Sequence, residues 1–330
     1  SNRLKIFRER MAAFEGAANP QEAIESGYYV RTPGKLLAEK LSARVALRPA
    51  SSHLLIGGIG SGKTTQLLVA CERLKEIGDI YPIYIDVSLH TDISEITPGV
   101  LTAIAGVELS KLLEDSKDSS IQFNINEVRK IAYGYSENLN ISDFLFSSSI
   151  NRENLPLNTI KKHNKGVIDS KNSNNLNNLL HNAVNKLLSY AANNYGNIVL
   201  LFDGLDRFHD DKIIPEIINL DIKFLSNSKI GVVIVAPLSS RYTEKTTIIE
   251  NYLDYFYPQP FFDIDNNSEA YEFFIKVLKA RSQDSFLEEV AIDLLIKFSG
   301  GVLRDLINLT QSAIEETYIS GDEKILEKHV

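Results

Sequence analysis

The sequence predicts an α/β fold in which a parallel β-sheet is followed by a wholly helical segment. Ile198–Phe202 and Ile230–Ala236 are continuous apolar runs, which are typical of central strands covered by helices on both faces. Helical patterns lie between the predicted strands. After residue 266 only helical patterns remain, at 268–280, 284–298 and 302–318. This order indicates an α/β domain followed by an all-α domain.

The other elements are predicted from local patterns along the chain. Apolar side chains at helical spacing predict helices within 4–14 and 27–47, at Thr65–Ile77, at about 98–113 and at 176–192. Short apolar runs predict strands at His53–Ile56, Ile80–Val87 and Tyr255–Tyr257. From 115 to 175 the periodicity fades and polar residues accumulate, which predicts a variable insertion that is partly loop.

Composition excludes several classes of protein. The 330 residues are 44% apolar and 24% charged, which are ordinary globular values, and this length suggests about two domains. Cys71 is the single cysteine, so no internal disulfide forms and we expect a cytoplasmic location. No apolar run reaches the roughly 18 residues of a membrane span. The net charge of −8 argues against nucleic-acid binding over the whole surface, although it leaves a local basic patch open.

A glycine-rich motif carries the main functional signal. The residues Gly57–Thr64 fit G-x-x-x-x-G-K-[ST], with a predicted strand before them and a predicted helix after them. Glycines let the main chain fold around a phosphate with its N–H groups inward, and the start of the helix adds a positive field. This context disfavours an incidental glycine-rich turn. The predicted nucleotide-binding residues are Gly57, Gly58, Gly60, Ser61, Gly62, Lys63, Thr64 and Thr65.

An acidic residue after a buried strand complements this loop. In such sites a lysine, here Lys63, reaches the β- and γ-phosphates, and a hydroxyl, here Thr64, ligates Mg²⁺. Asp203 ends the run Ile198–Phe202, and we expect it to hold the same ion, although many buried strands also end in an acid. The sequence therefore predicts Mg-ATP or Mg-ADP as the bound cofactor.

The residue that follows this acid affects the expected chemistry. Many ATPases place a glutamate there, which polarises the attacking water, but this chain has Gly204. Asp206 is the next acid, and two readings stay open for it: it orients the water, or it only caps or salt-bridges the following loop. Turnover is therefore expected to be slow.

Two arginines are candidate sensors of the γ-phosphate. Arg241 lies just past the strand Ile230–Ala236, at the sheet edge where ligands gather, and Arg304 opens a helix of the C-terminal segment. Either guanidinium would neutralise charge that builds up during phosphoryl transfer. The alternative for each arginine is a surface salt bridge.

These motifs together resemble the AAA+/STAND group of P-loop ATPases. Gly57–Thr65 looks like their Walker A motif and Val199–Asp206 looks like their Walker B motif. Ser240-Arg241 is similar to the STAND sensor motif. Gly301–Arg304 is similar to the helical-lid motif, although Leu303 stands where STAND proteins often carry proline. The likeness extends to origin-recognition-type ATPases and to bacterial defence ATPases.

The resemblance implies a P-loop NTPase parallel sheet of order 5-1-4-3-2 and a C-terminal helical lid that closes over the nucleotide. It places adenine between segment 28–32, with Tyr28 and Val30, and the lid near Gly301. The alternative for Tyr28 is core packing. We expect an N-terminal helical and adenine-side region at 1–50, the ATPase core at 51–265 and the lid at 266–330. We expect the chain to be a fragment of a longer protein in which the lid continues past Val330.

Three functions follow as hypotheses. The first is an ATP-dependent molecular switch that reports to a protein partner or effector domain and that oligomerises on binding ATP. The second is a DNA-binding initiator or loader of the origin-recognition type, and the third is a P-loop kinase. The absence of an Asn-Lys-x-Asp motif favours ATP over GTP. The basic cluster Lys161–Lys165 either touches nucleic acid or is a solvated loop.

Overall fold

The computed structural model describes residues 2–15, 20–34, 37–93, 96–133, 173–208, 213–242, 246–282 and 285–330. Most of the predicted insertion at 115–175 lies outside these residues. So does the basic cluster Lys161–Lys165, whose interpretation stays a prediction.

A five-stranded sheet organises the α/β part of the chain. Its strands are β1 (Ser52–Gly57), β2 (Ile80–Asp86), β3 (Asn197–Asp203), β4 (Gly231–Ala236) and β5 (Tyr255–Gln259). They lie in the order β2-β3-β4-β1-β5, and β3 pairs in parallel with both β2 and β4. The predicted order 5-1-4-3-2 is thereby confirmed, since it is the same order read from the opposite edge.

Helices flank this sheet in sequence, and their bounds match most of the predicted patterns. The first part of the chain contains α1 (Asn2–Phe14), α2 (Pro20–Glu25), α3 (Leu37–Leu47), α4 (Lys63–Lys75), α5 (Val100–Leu112), α6 (Ser119–Tyr133) and α7 (Ser173–Tyr195). The remainder contains α8 (Ile213–Ile217), α9 (Lys223–Asn227), α10 (Thr246–Tyr252), α11 (Ser268–Arg281), α12 (Glu289–Ser299) and α13 (Leu303–Ile319). None of the helices among these described residues is long and apolar enough to cross a membrane.

The structure adds one helix that was not predicted and corrects one prediction about secondary structure. The insertion predicted from residue 115 begins with an ordered helix, α6, which buries Ile121, Ile125 and Val128 on one face. The segment after 266 is not purely helical, because Leu287 and Ile325 form an isolated parallel bridge. Isolated bridges leave no periodic pattern in a sequence, which is why this one was not predicted.

The chain divides into two compact units that are discontinuous in sequence. The first unit comprises Ser1–Ala43, Leu55–Arg73 and Tyr257–Val330, and the second comprises Arg44–Leu54 and Leu74–Phe256. The domain limits predicted from the sequence stay a prediction. The first unit contains the glycine-rich loop together with the C-terminal helices, and the second contains most of the sheet.

The first unit is built around an apolar cluster. Aromatic rings dominate its centre, where Phe262 stacks on Phe273 with ring centroids 4.9 Å apart and meets Phe274 edge to face. Phe7 and Phe14 of α1 belong to the same cluster, so the N-terminal helix packs on the C-terminal helices. Burying such side chains contributes about 1.5–3 kcal/mol each. The core therefore supports the helices that follow β5.

The second unit contains a buried carboxylate that caps a helix from a distance. Asp221 is fully buried in a π-helical turn, and its oxygens accept hydrogen bonds from the N–H of Gly99 at 2.8 Å and of Thr102 at 2.9 Å. The Thr102 hydroxyl donates a third bond at 2.7 Å. Gly99 has no side chain with which to cap α5, so Asp221 satisfies the free N–H groups at its start.

Asp221 predicts a pH dependence of stability. Burial raises the pKa of Asp221 to about 6, against hydrogen bonds that lower it. The folded state therefore holds this proton more tightly than the unfolded state, and the stability from this group falls as pH rises from about 4 to 6. The unaltered chain and Asp221→Asn differ in their free energy of unfolding. We expect this difference to shrink by up to about 3 kcal/mol, in favour of the variant, as pH rises across that window, measured by urea unfolding. Parallel pH profiles would contradict the assignment.

Candidate functional site

The glycine-rich loop lies between β1 and α4 and closes around its own lysine. Lys63 begins α4, as its motif predicts, and only 3% of it is exposed. Its Nζ donates hydrogen bonds to the carbonyl oxygens of Gly57 at 3.0 Å and Gly58 at 2.6 Å. The loop therefore holds the ammonium group inside its curve.

Two glycines of the loop are required by their surroundings. A Cβ at Gly58 would overlap the ring of Phe261. Gly60 has φ +86°, and a Cβ there would lie 2.8 Å from Val302 Cγ1 and 3.0 Å from Arg304 Cβ. The backbone of the loop thus approaches its neighbours more closely than any side chain permits.

Three buried polar atoms around the loop have no hydrogen-bond partner in the described part of the chain. They are Ser61 Oγ, Gln66 Oε1 and Gln259 Oε1, on side chains that are at most 2% exposed. The amide of Gln259 also donates to the carbonyl oxygen of Ser61 at 3.1 Å. An unpaired buried polar atom costs about 1–3 kcal/mol, so three of them around one loop indicate a place that a polar ligand completes. The Ser61 hydroxyl can donate to a phosphate oxygen, whereas the two glutamine oxygens only accept and need a donor such as water or an N–H group of a ligand.

The C-terminal helices contact this loop directly within the first unit. The N–H of Arg304 lies 3.4 Å from the carbonyl oxygen of Gly60, so the first turn of α13 rests on the loop. Gly301 accepts a hydrogen bond from the N–H of Phe262 at 3.0 Å. The residues that resemble a lid motif are therefore adjacent to the residues that resemble Walker A.

The segment with the predicted adenine contacts is held from two sides. Tyr28 and Val30 are partly buried and pack against the apolar cluster, and the role of Tyr28 toward adenine stays a prediction. Arg281 of α11 donates to the carbonyl oxygen of Tyr28 at 3.2 Å. The neighbouring Tyr29 bonds to Gln66 of α4, and burial raises the pKa of the Tyr29 hydroxyl. The segment thus links α11 with the helix that follows the loop.

The second unit contains the predicted metal carboxylate. Asp203 ends β3 and is 3% exposed. Its Oδ1 accepts the N–H of Gly204 at 2.7 Å, and its Oδ2 accepts the hydroxyl of Tyr84 at 2.9 Å. Burial, and then the charge of Asp203, raises the pKa of Tyr84, which keeps this hydroxyl a donor. Sequence reasoning missed Tyr84, since no local motif links it to a residue more than a hundred positions away.

The other predicted residues of this unit lie in short turns. Asp206 is in the 3₁₀ turn Leu205–Arg207, and Arg241 is exposed in the 3₁₀ turn Leu238–Tyr242. The Arg241 guanidinium stands 5.7 Å from the ring centre of Phe256. Within the ranges that the structure describes, no three His, Cys, Asp or Glu residues converge as a metal site. Mg²⁺ usually takes most of its ligands from nucleotide phosphates and water. Such a site needs only one or two protein side chains and forms no cluster of three.

Comparisons with solved structures agree with this architecture. No protein-family model and no curated protein matches the chain. The ORC1 protein of Aeropyrum pernix in complex with DNA is similar, with a TM-score of 0.53 and 14% identity over 91% of this chain and 64% of that one. Cdc6p from Pyrobaculum aerophilum is similar, with a TM-score of 0.51 and 14% identity over 92% and 66%. The chain has the ORC1/Cdc6 fold.

The ORC1/Cdc6 fold confirms the predicted resemblance to origin-recognition-type P-loop ATPases and the α/β sheet with a helical C-terminal part. This chain spans less than two thirds of either protein's length, at 64% and 66%. At this identity the likeness concerns the fold, so the activity and partners of this chain are treated as proposals below.

Proposed function

We propose that this chain binds Mg-ATP and acts as a nucleotide-dependent molecular switch with slow hydrolysis. The single observation that supports this most is the loop 57–64. It buries Lys63, leaves Ser61 Oγ without a hydrogen-bond partner among the residues that the structure describes, and receives the N–H of Arg304. Lysine, main-chain N–H groups and a helix start are the groups that bind a triphosphate.

Each predicted residue keeps a role in this proposal. Gly57–Thr65 cradle the phosphates, and Thr64 and Asp203 supply oxygen atoms of the kind that Mg²⁺ prefers. When bound, the ion neutralises charge on the phosphates. Arg241 and Arg304 balance the γ-phosphate, and Asp206 is one candidate for orienting water. Tyr28, Val30 and Gly301 border the adenine.

Helix α13 is the proposed reporter of nucleotide state. Its first turn contacts Gly60, while the cluster around Leu306 and Ile307 fixes the rest of the helix in the first unit. A phosphate at the loop therefore bears on the start of a helix whose last turn carries the exposed side chains of Tyr318 and Ile319. We propose a protein partner or effector domain as the receiver of that signal.

Equilibrium binding and phosphate release test the proposal. We expect Mg-ATP to bind at least tenfold more tightly than Mg-GTP, and the turnover to lie below about 1 per second, the lower end of common enzyme rates. Hydrogen exchange at the start of α13 should be slower with ATP than with ADP. Failure to bind ATP would refute the whole proposal, whereas equal exchange in both states would refute the switch alone.

A second candidate, a DNA-binding initiator or loader, is favoured by one comparison. The ORC1 protein of Aeropyrum pernix was solved in complex with DNA, and its fold is shared here. The net charge of −8 weighs against DNA binding by this chain alone. A gel shift that weakens steeply with salt would support this function, and no shift at low salt would contradict it for the chain as given.

A further inference from the structure

The side chain of Gln66 keeps one buried acceptor without a hydrogen bond. Gln66 lies near the start of α4, where its N–H donates to the carbonyl oxygen of Gly62 at 3.1 Å. The residue is only 2% exposed, and its Oε1 has no hydrogen-bond partner among the residues that the structure describes. An unpaired buried acceptor costs free energy, so a ligand that donates a hydrogen bond here would stabilise the site.

A contact with Tyr29 determines which end of the amide is left over. Burial raises the pKa of the Tyr29 hydroxyl, and a hydrogen bond with Gln66 opposes that rise. A donor to the phenolic oxygen has this effect, because it stabilises the ionised form. The amide of Gln66 therefore gives Nε2 to Tyr29 and leaves Oε1 for a ligand. Turning the amide over to offer an N–H instead would break the bond to Tyr29.

Gln66 lies one helical turn beyond the lysine of the loop. Residues three apart share a face of an α-helix, so Gln66 follows Lys63 at about 4.5 Å along the axis of α4. Under the proposed function the β- and γ-phosphates bind at Lys63, and the sugar and base of the nucleotide extend beyond them. Tyr29, Lys63 and Gln66 belong to the same compact unit. Gln66 is therefore placed to meet the end of the nucleotide that the loop does not hold.

We propose that Gln66 Oε1 accepts a hydrogen bond from the exocyclic amine of adenine and thereby selects ATP over GTP. This inference rests on the proposed function and names the residue that selects the base. Adenine carries an amine at C6, which donates hydrogen bonds. Guanine and hypoxanthine carry a carbonyl oxygen there, which only accepts and would leave Oε1 unpaired. A site with a buried polar group discriminates strongly against a ligand that leaves that group unpaired.

Gln259 is the alternative residue and is less suited to this role. Its Oε1 is also unpaired within the described part of the chain, and the residue is 1% exposed. Its Nε2 donates to the carbonyl oxygen of Ser61 at 3.1 Å, which places the amide at the phosphate-binding loop. Phosphate oxygens accept hydrogen bonds and cannot pair with another acceptor. The Gln259 amide therefore supports the loop and does not select the base.

Equilibrium binding of three triphosphates that differ at C6 of the purine tests the inference. They are ATP with an amine, purine riboside triphosphate with a hydrogen atom and inosine triphosphate with a carbonyl oxygen. We expect the unaltered chain to bind ATP about tenfold more tightly than either analogue, which is the upper range for one net hydrogen bond. Gln66→Leu removes the acceptor and should bind all three within about twofold of one another.

Gln259→Leu is the matched control, because it makes the same change at an equally buried residue. We expect it to weaken the binding of all three triphosphates alike and to keep the preference for ATP. The readout is the ratio of dissociation constants within one variant, since damage to the loop lowers the affinity for every triphosphate and leaves this ratio unchanged. If Gln66→Leu does not fold, Gln66→Met, which has an unbranched side chain, replaces it.

Each result supports or overturns the inference. A preference for ATP that disappears in Gln66→Leu and persists in Gln259→Leu supports it. An undiminished preference in folded Gln66→Leu overturns it, and so does a loss of the preference in Gln259→Leu, because the effect would then not be specific to Gln66. Tight but unselective binding by the unaltered chain overturns this inference alone. If the unaltered chain binds none of the three triphosphates, the proposed function itself is refuted.

Discussion

Replacing Lys63 with methionine is expected to weaken ATP binding about 100-fold or more. Lys63 is 3% exposed, and its ammonium group donates hydrogen bonds to the carbonyl oxygens of Gly57 and Gly58. In the bound state it would exchange these carbonyl oxygens for phosphate oxygens. Truncating a buried charged partner costs about 2–5 kcal/mol, and about 2.7 kcal/mol corresponds to 100-fold in affinity. Fluorescence titration with a labelled ATP analogue measures the change.

The matched control lies on the same helix. Lys75 ends α4 and is exposed, so Lys75→Met removes the same charge without reaching the loop. Its ATP affinity should stay within twofold of the unaltered chain. Thermal unfolding without nucleotide separates lost stability from lost binding, because Lys63 also fastens the loop. Unchanged affinity in a well-folded Lys63→Met protein would remove the loop from the binding model.

Local patterns were sufficient to predict the parts of the candidate site that are contiguous in sequence. The loop 57–64 combines glycines, lysine and threonine at fixed spacing, and each type has a chemical reason. The helix that begins at Lys63 and the buried strand before Asp203 follow from apolar spacing alone. Strand order was predicted through the family resemblance, because periodicity does not determine which strands are neighbours.

The contacts that periodicity does not encode were missed. Tyr84 and Asp86 meet Asp203 and Gly204 only because β2 lies beside β3 in register. Asp221 caps α5 although it lies more than a hundred positions after that helix in the sequence. Helix α6 was missed for another reason, since its polar face carries many of the residues that suggested a loop. Contacts between neighbouring strands depend on the complete fold, whereas a motif predicts only contacts between residues that are close in sequence.

Replacing Gly301 with alanine is expected to have the largest effect on stability. Gly301 has φ +80°, and a Cβ there would overlap the carbonyl oxygen of Phe262. The two residues cannot separate freely, because the N–H of Phe262 donates to the carbonyl oxygen of Gly301 at 3.0 Å. Relieving the overlap would break this bond and pull Phe262 away from the rings of Phe273 and Phe274. We expect a loss of about 3 kcal/mol or more, measured by urea unfolding.

The adjacent glycine is a control that separates backbone conformation from steric overlap. Gly300 has φ +57°, but a Cβ there would meet nothing within 4 Å. Gly300→Ala therefore carries only the left-handed penalty of about 1–2 kcal/mol, whereas Gly301→Ala carries that penalty together with the displacement of Phe262. Equal losses in the two variants would show that this packing is unimportant. A greater loss at Gly301 would mean that the segment after β5 and the start of the lid motif form one packed structure, which is what a lid must be if it is to transmit a signal from the loop.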